Sequence, residues 1–112
     1  MDITLNQLDD TTVVSLTGSV DALTAQEVTN FLSSKIAGGQ HHLVLDLGRV
    51  EFMSSAGLRA ILAALKETRQ EGGDLRLAAA QPGVEKILKM SGFTNILKTF
   101  LSVDEAVDSF SQ

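Results

Sequence analysis

Ser54 and Ser55 are the side chains best placed to do chemistry in this sequence, because two adjacent hydroxyls fall where an extended segment gives way to a helical one. A nucleophilic serine at such a junction needs a base nearby. The surrounding Met53-Ser54-Ser55-Ala56-Gly57 is not the G-x-S-x-G elbow of the serine hydrolases, and no base is evident. His41 and His42 are the only histidines. As neighbours at the start of a strand they point to opposite faces, so they cannot share a metal ion, and they read as solvated loop residues. Neither Gly38-Gly39 nor Gly72-Gly73 extends to G-x-G-x-x-G or a Walker loop, and both serve better as helix stops. The absence of cysteine removes disulfides, thiol nucleophiles, zinc fingers and iron–sulfur clusters. The expectation is a protein that is not an enzyme, with no metal site and no cofactor. What remains is Asp46 to Arg59, read as a central strand, a short loop, and two hydroxyls opening an amphipathic helix. The free N–H groups and dipole of that helix favour an anion. A plain N-cap role for either serine explains the same residues, since serine is among the preferred caps.

The elements that must position this loop follow from hydrophobic period. Met1, Ile3 and Leu5 alternate with Asp2, Thr4 and Asn6, which predicts a half-buried strand over residues 2–8. Thr12 to Thr17 is rich in β-branched residues and stops at Gly18, so it should pair antiparallel with the first strand across Asp9-Asp10. Val28, Phe31, Leu32 and Ile36 share a helical face, opened by a capping box of Thr24 and Glu27 and closed by Gly38-Gly39. His42 to Leu47 is an almost unbroken apolar run, as expected of a strand at the sheet centre. A second helix over about Ala56 to Glu71 should commit Leu58, Ile61, Leu62 and Leu65 to the core and leave Arg59, Lys66 and Arg69 outside. Asp74 to Ala79 reads as a strand. Pro82 then opens a third helix that Gly92 closes, Ile96 to Phe100 suits an edge strand, and a last helix starts at Ser102, capped reciprocally with Glu105. The order ββαβαβαβα predicts a single α/β domain over residues 1–112, a mixed β-sheet with about four helices and right-handed crossovers.

Composition agrees with one self-sufficient domain. A chain of 112 residues that is 44% apolar can bury a core without disulfides or metal. Residues 1–34 hold Asp2, Asp9, Asp10, Asp21 and Glu27 with no Lys or Arg, which accounts for the whole net charge of −5. The nine cations elsewhere are scattered among as many acids, which argues against direct binding of nucleic acid. No apolar run approaches the roughly 20 residues of a membrane span. The N-terminus lacks a basic flank and an apolar leader segment. A cytoplasmic protein with no membrane partner is expected.

Gly18-Ser19-Val20-Asp21, then Asp46-Leu47 with Val50, then Phe52 to Leu58, Gly72-Gly73 and Met90-Ser91-Gly92-Phe93 follow one another in an order that resembles the STAS domain (sulphate transporter and anti-sigma factor antagonist). The likeness is to the small stand-alone bacterial anti-sigma factor antagonists and covers nearly the whole chain. In that family the loop commonly reads D-S-S-G-L or D-S-T-G-L, and the first hydroxyl after the Asp is phosphorylated by a partner kinase that doubles as an anti-sigma factor. Ser55 holds that place here, Ser54 stands where the Asp would be, and Ala56 replaces the second hydroxyl. Ser54 thereby becomes an alternative acceptor. Asp21 matches an acidic residue near the family's site and equally suits a cap of the first helix. The resemblance implies a monomeric partner-switching protein that binds an ATP-binding anti-sigma factor/serine kinase, is released on phosphorylation, and is reset by a serine phosphatase. Its implied contact surface is Asp21 with the loop of Met53, Ser54, Ser55, Ala56 and Gly57, and the face of the second helix opposite its apolar stripe adds Arg59, Lys66 and Arg69 at the rim. A constitutive scaffold and a nucleotide- or anion-sensing domain are the alternatives.

Overall fold

The computed structural model describes residues 1–111. β1 (Asp2–Leu8) pairs antiparallel with β2 (Thr11–Val20), but the alternation of Ile3 and Leu5 covers less than expected: Ile3 and Leu8 are half-buried and Leu5 is exposed at this sheet edge. The chain reverses at Asp9, whose φ of 55° is a left-handed conformation that Asp tolerates. Gly18 does not end β2, contrary to expectation. It takes φ 116°, which a side chain would resist, and the strand runs on to Val20.

The central strand corrects the sequence reading more strongly. β3 spans His42–Met53, so the segment expected to be a loop after Leu47 is extended and paired. Its buried residues are Leu43, Val44, Leu45, Leu47, Val50 and Met53, so the inward spacing lengthens from two to three. Two bulges cause this. Ser15 faces Asp46 but Thr17 faces Arg49, and Gly18 faces Val50 but Ser19 faces Phe52, so β3 gains one residue over β2 at each step. A strict period of two cannot register such a strand, and the same residues therefore read as irregular.

β4 (Asp74–Ala78) and the two-residue β5 (Thr99–Phe100) complete a sheet ordered β1-β2-β3-β4-β5, in which every pair after the first is parallel. The expected edge strand is thus shorter than Ile96 to Phe100. Gly92 turns the chain at φ 80°, Phe93–Asn95 coils into a 3-10 turn, and Phe93 and Leu97 are buried instead of pairing. Helices α1 (Ala25–Ala37), α2 (Ser55–Gln70) and α3 (Pro82–Met90) cover one face, where Leu32, Ile61, Leu65 and Leu88 meet Leu16, Leu45 and Leu77. α4 (Val103–Asp108) covers the other, closing a smaller cluster of Val13, Val44, Ala78 and Ala106.

Two details of capping and facing differ from expectation. Thr24 precedes α1, yet its side chain makes no cap bond to the helix, so the box with Glu27 does not form. On α2 the fully buried residues are Gly57, Ala60, Ile61, Ala64, Leu65 and Thr68, while Leu58 and Leu62 are only half-buried at the margin. The helix lies against α1 as well as the sheet, and small residues serve the close approach to a second helix. Ser102 does cap α4, its Oγ accepting the Glu105 N–H at 3.1 Å, and among the described residues no return bond from the Glu105 side chain completes the reciprocal pair.

Candidate functional site

β3, the central strand, delivers Ser54 and Ser55 to its C-terminal end, where α2 begins. Ser54 is the N-cap, extended at φ −89° and ψ 173°, and its Oγ accepts the Gly57 N–H at 3.3 Å while its carbonyl accepts the Leu58 N–H at 3.0 Å. Its own N–H donates to the Val20 carbonyl at 2.8 Å, tying the loop to the end of β2. Ser55 is the first residue of the helix and is exposed. The two hydroxyls therefore differ in kind: Ser54 is held by the backbone, and Ser55 faces solvent on the first helical turn, where amides have no partner within the helix.

Residues beneath the loop hold it down. Met53 is only 2% exposed, and Gly57 is buried against it and Val20. A methyl group on Gly57 would lie 2.5 Å from Met53 Sδ and 2.8 Å from Val20 Cγ1, so only glycine fits. Met53 and Gly57, expected among the partner contacts, are corrected to supports: they face inward and offer no surface. Ala56 is half-buried beside Ser55, and Arg59 and Lys66 are exposed. At 100° and 1.5 Å per residue, Ser55, Arg59 and Lys66 fall on one stripe of α2, with Lys66 about 16 Å from Ser55 along the axis. Arg69, expected at the rim, is spent on Asp74 at 3.1 Å and on the Ile96 carbonyl at 2.8 Å.

Asp21 lies between β2 and α1. Its Oδ1 accepts the N–H groups of Leu23 at 2.9 Å and Thr24 at 3.0 Å, and Thr24 Oγ1 in turn donates to the Ser19 carbonyl at 2.8 Å. The carboxylate thus does the capping that the sequence assigned to Thr24. The Thr24 amide is the main cause that holds the Asp21 carboxyl below its ordinary value, against a smaller opposing cost of desolvation. His41 and His42 stand at the start of β3, the far end of the strand from the serines. They are half-buried, not solvated, and the His42 ring stacks on Phe110 with centroids 4.8 Å apart.

Sequence reasoning missed two exposed apolar side chains, one after the end of β2 and one on β3 just before the serines. Leu23 is 89% exposed and Phe52 is 50% exposed. A shallow groove between α1 and α2 is lined by Ala22, Gln26, Thr29, Ala56 and Arg59. Leu23 could have been noticed as a large apolar residue outside the α1 stripe. Phe52 could not while the residues after Leu47 read as a loop, since its direction is defined only once β3 is seen to run to Met53.

Fold and site together define a small α/β domain whose distinguishing feature is a strand-to-helix loop with one hydroxyl bonded to the backbone and one exposed. Residues 2–106 match the STAS domain, and the chain belongs to that family. It is 34% identical over 110 residues to BtrV of Bordetella bronchiseptica, named as a candidate anti-sigma factor antagonist, covering 98% of this chain and 95% of the relative. It is also 34% identical over 89 residues to the anti-sigma F factor antagonist of Paenibacillus polymyxa, covering 79% of this chain and 76% of the relative. In fold it matches a solved structure from Thermotoga maritima, a candidate anti-sigma factor antagonist, with a TM-score of 0.94 at 21% identity over 98% of this chain and 95% of that one.

Proposed function

We propose that this chain is an anti-sigma factor antagonist that works by partner switching. With Ser55 unmodified it binds an ATP-binding anti-sigma factor that is also a serine kinase, and the sigma factor or other output protein is set free. Phosphorylation of Ser55 by that kinase ends the complex, and a serine phosphatase restores it. The protein acts in the cytoplasm as a monomer and brings no cofactor, since the nucleotide belongs to the kinase.

The observation that carries this reading is the division of roles between the two serines. Ser54 Oγ accepts the Gly57 amide, whereas Ser55 is exposed on the first turn of α2. Phosphate on Ser55 adds about −1.5 to −2 charges beside unpartnered amides at the positive end of the helix dipole, a placement worth roughly 0.3–1 kcal/mol in its favour. The fold tolerates the modification, so its effect falls on the partner. Leu23, Phe52, Ala56 and the stripe of Ser55, Arg59 and Lys66 supply the mixed apolar and basic surface that surrounds the loop, with Asp21 at its edge. The names of the two relatives at 34% identity support an anti-sigma factor as the partner.

Intact-mass measurement after incubation with the anti-sigma kinase of the same genome and ATP tests the acceptor. One phosphate on the wild type and on Ser54→Ala, and none on Ser55→Ala, is the expected result. A phosphorylated Ser55→Ala protein would overturn the assignment, and a wild type that binds the kinase but takes no phosphate would favour a constitutive scaffold.

A further inference from the structure

The first bulge of β3 is built around a carboxylate for which neither the core nor the serine loop accounts. Asp46 is half-buried and carries two bonds: its Oδ2 accepts the Ser15 hydroxyl at 3.0 Å, and its Oδ1 accepts the Gly48 N–H at 3.0 Å. On the other side of the same residue, Gln81 Nε2 donates to the Gly48 carbonyl at 3.0 Å. Gly48 is thus held through both its amide and its carbonyl. A Cβ there would lie 3.2 Å from Asp46 Oδ1, close enough to press on the carboxylate of the clamp. Gln81 is itself the residue that opens α3.

The location of this clamp decides what it does. Between Asp46 and Arg49 the partner strand advances by two residues while β3 advances by three, so the clamp inserts the first extra residue and reverses which side chains face inward. Val50 reaches the core because of that reversal, and the second bulge, between Val50 and Phe52, reverses the faces again so that Met53, the anchor immediately before Ser54, also points inward. A slip at Gly48 would turn Met53 outward and carry the serine loop with it.

We propose that Asp46 and Gln81 are positioning residues for the phosphorylation loop: by gripping Gly48 they fix the register of β3 from Val50 to Met53 and so the presentation of Ser55, and Gln81 couples that register to the start of α3. This rests on the reading of Ser55 as the phosphate acceptor for its functional arm, while its structural arm is independent of any partner.

Hydrogen exchange on the isolated full chain reads the structural arm, using Gln81→Ala, which removes one hand of the clamp at a half-buried site, and Asp46→Ala with Asp46→Asn as the conservative rescue. The expected result is that exchange of the Gly48, Ser54 and Gly57 amides rises at least about tenfold in Gln81→Ala and Asp46→Ala, while the α1 and β4 amides stay within about twofold of the wild type. Asp46→Asn, which still offers one oxygen to Gly48, should recover most of the protection. Phosphorylation of Ser55 supplies a readout that general weakening would not move: in Gln81→Ala the maximal rate should fall about tenfold with KM within about twofold, because the hydroxyl is misaligned after binding. Unchanged exchange at Ser54 and Gly57 in Gln81→Ala would overturn the proposal, as would exchange that rises evenly over the whole chain. A wild type that accepts no phosphate, with the loop exchange behaving as expected, would remove the kinase reading and leave the clamp standing.

Discussion

Replacing Gly57 by alanine puts one methyl group beneath the serine loop, and its effect can be worked from the contacts it would make. In an open helix the change is favourable, since alanine exceeds glycine by about 0.8–1 kcal/mol in helix propensity. Here the new Cβ would lie 2.5 Å from Met53 Sδ, 2.8 Å from Val20 Cγ1 and 3.1 Å from the Val20 carbonyl oxygen. The Met53 thioether can swing away, because methionine is flexible. Val20 cannot, since it is β-branched, buried, and fixed by the bond from the Ser54 N–H to its carbonyl. Because Val20 cannot yield, the overpacking cost falls in the upper part of the usual range, about 2–3 kcal/mol, and exceeds the propensity gain by about 1–2 kcal/mol. In a domain of this size that lowers the melting temperature by about 3–8 °C. Gly83 is the control: it lies on α3, where a Cβ would meet nothing within 4 Å, so Gly83→Ala should gain about 0.4–1 kcal/mol. Urea denaturation beside calorimetry gives both signs. If Gly57→Ala were as stable as the wild type or more so, the loop would not be packed down on Val20 as described, and the argument for Gly57 as a support would fail.

The remaining expectations concern the core, the charge at Asp21 and the switch. Leu65→Ala should cost about 2–5 kcal/mol as a cavity mutation, and Leu62→Ala clearly less, because Leu65 is 2% exposed whereas Leu62 is half-buried; equal losses in denaturant titrations would contradict the assigned faces. The Asp21 carboxyl is held below its ordinary 3.8 by the Thr24 amide, so its contribution to stability is fully present above that value and is lost as pH falls through the lower folded-state pKa. The gap in denaturation midpoint between wild type and Asp21→Asn should therefore be open near neutrality and close in acid; a gap that widened in acid would reverse the sign argued here. Phosphorylation of Ser55 should leave the melting temperature nearly unchanged while weakening kinase binding by about two orders of magnitude, the equivalent of about 3 kcal/mol by calorimetric titration. Arg59→Glu should likewise weaken that binding at unchanged stability, and a variant that only unfolds would remove Arg59 from the contact surface.

Much of this protein is legible without coordinates, for local reasons. The alternation of Ile3 and Leu5, the apolar run through Leu43 and Leu45, the glycine pairs after α1 and α2, and Pro82 at the first turn of α3 each act within a few residues, through period, turn geometry or a missing N–H. The serine loop is equally visible, as two hydroxyls before a helical stripe in a family motif. Which serine caps and which is free is not, since Ser and Ser are chemically identical and only the chain direction set by Val20 and Met53 separates them.

The tertiary structure alone decided what depends on two strands at once. A bulge exists only as a mismatch between neighbours, so the lengthened spacing from Leu47 to Val50 and from Val50 to Met53 reads as irregular until β2 is laid beside it. The first mismatch turns Val50 inward and the second restores the earlier alternation, with Phe52 outward and Met53 buried, while Gly48 lies between Asp46 and Gln81, two residues far apart in the chain that nothing in the linear pattern connects. Likewise the exchange of Leu58 and Leu62 for Ala60 and Ala64 on the buried side of α2 follows from a second helix at its flank. Sequence period measures the hydrophobicity of a face, whereas the space left for that face is fixed by the element packed against it.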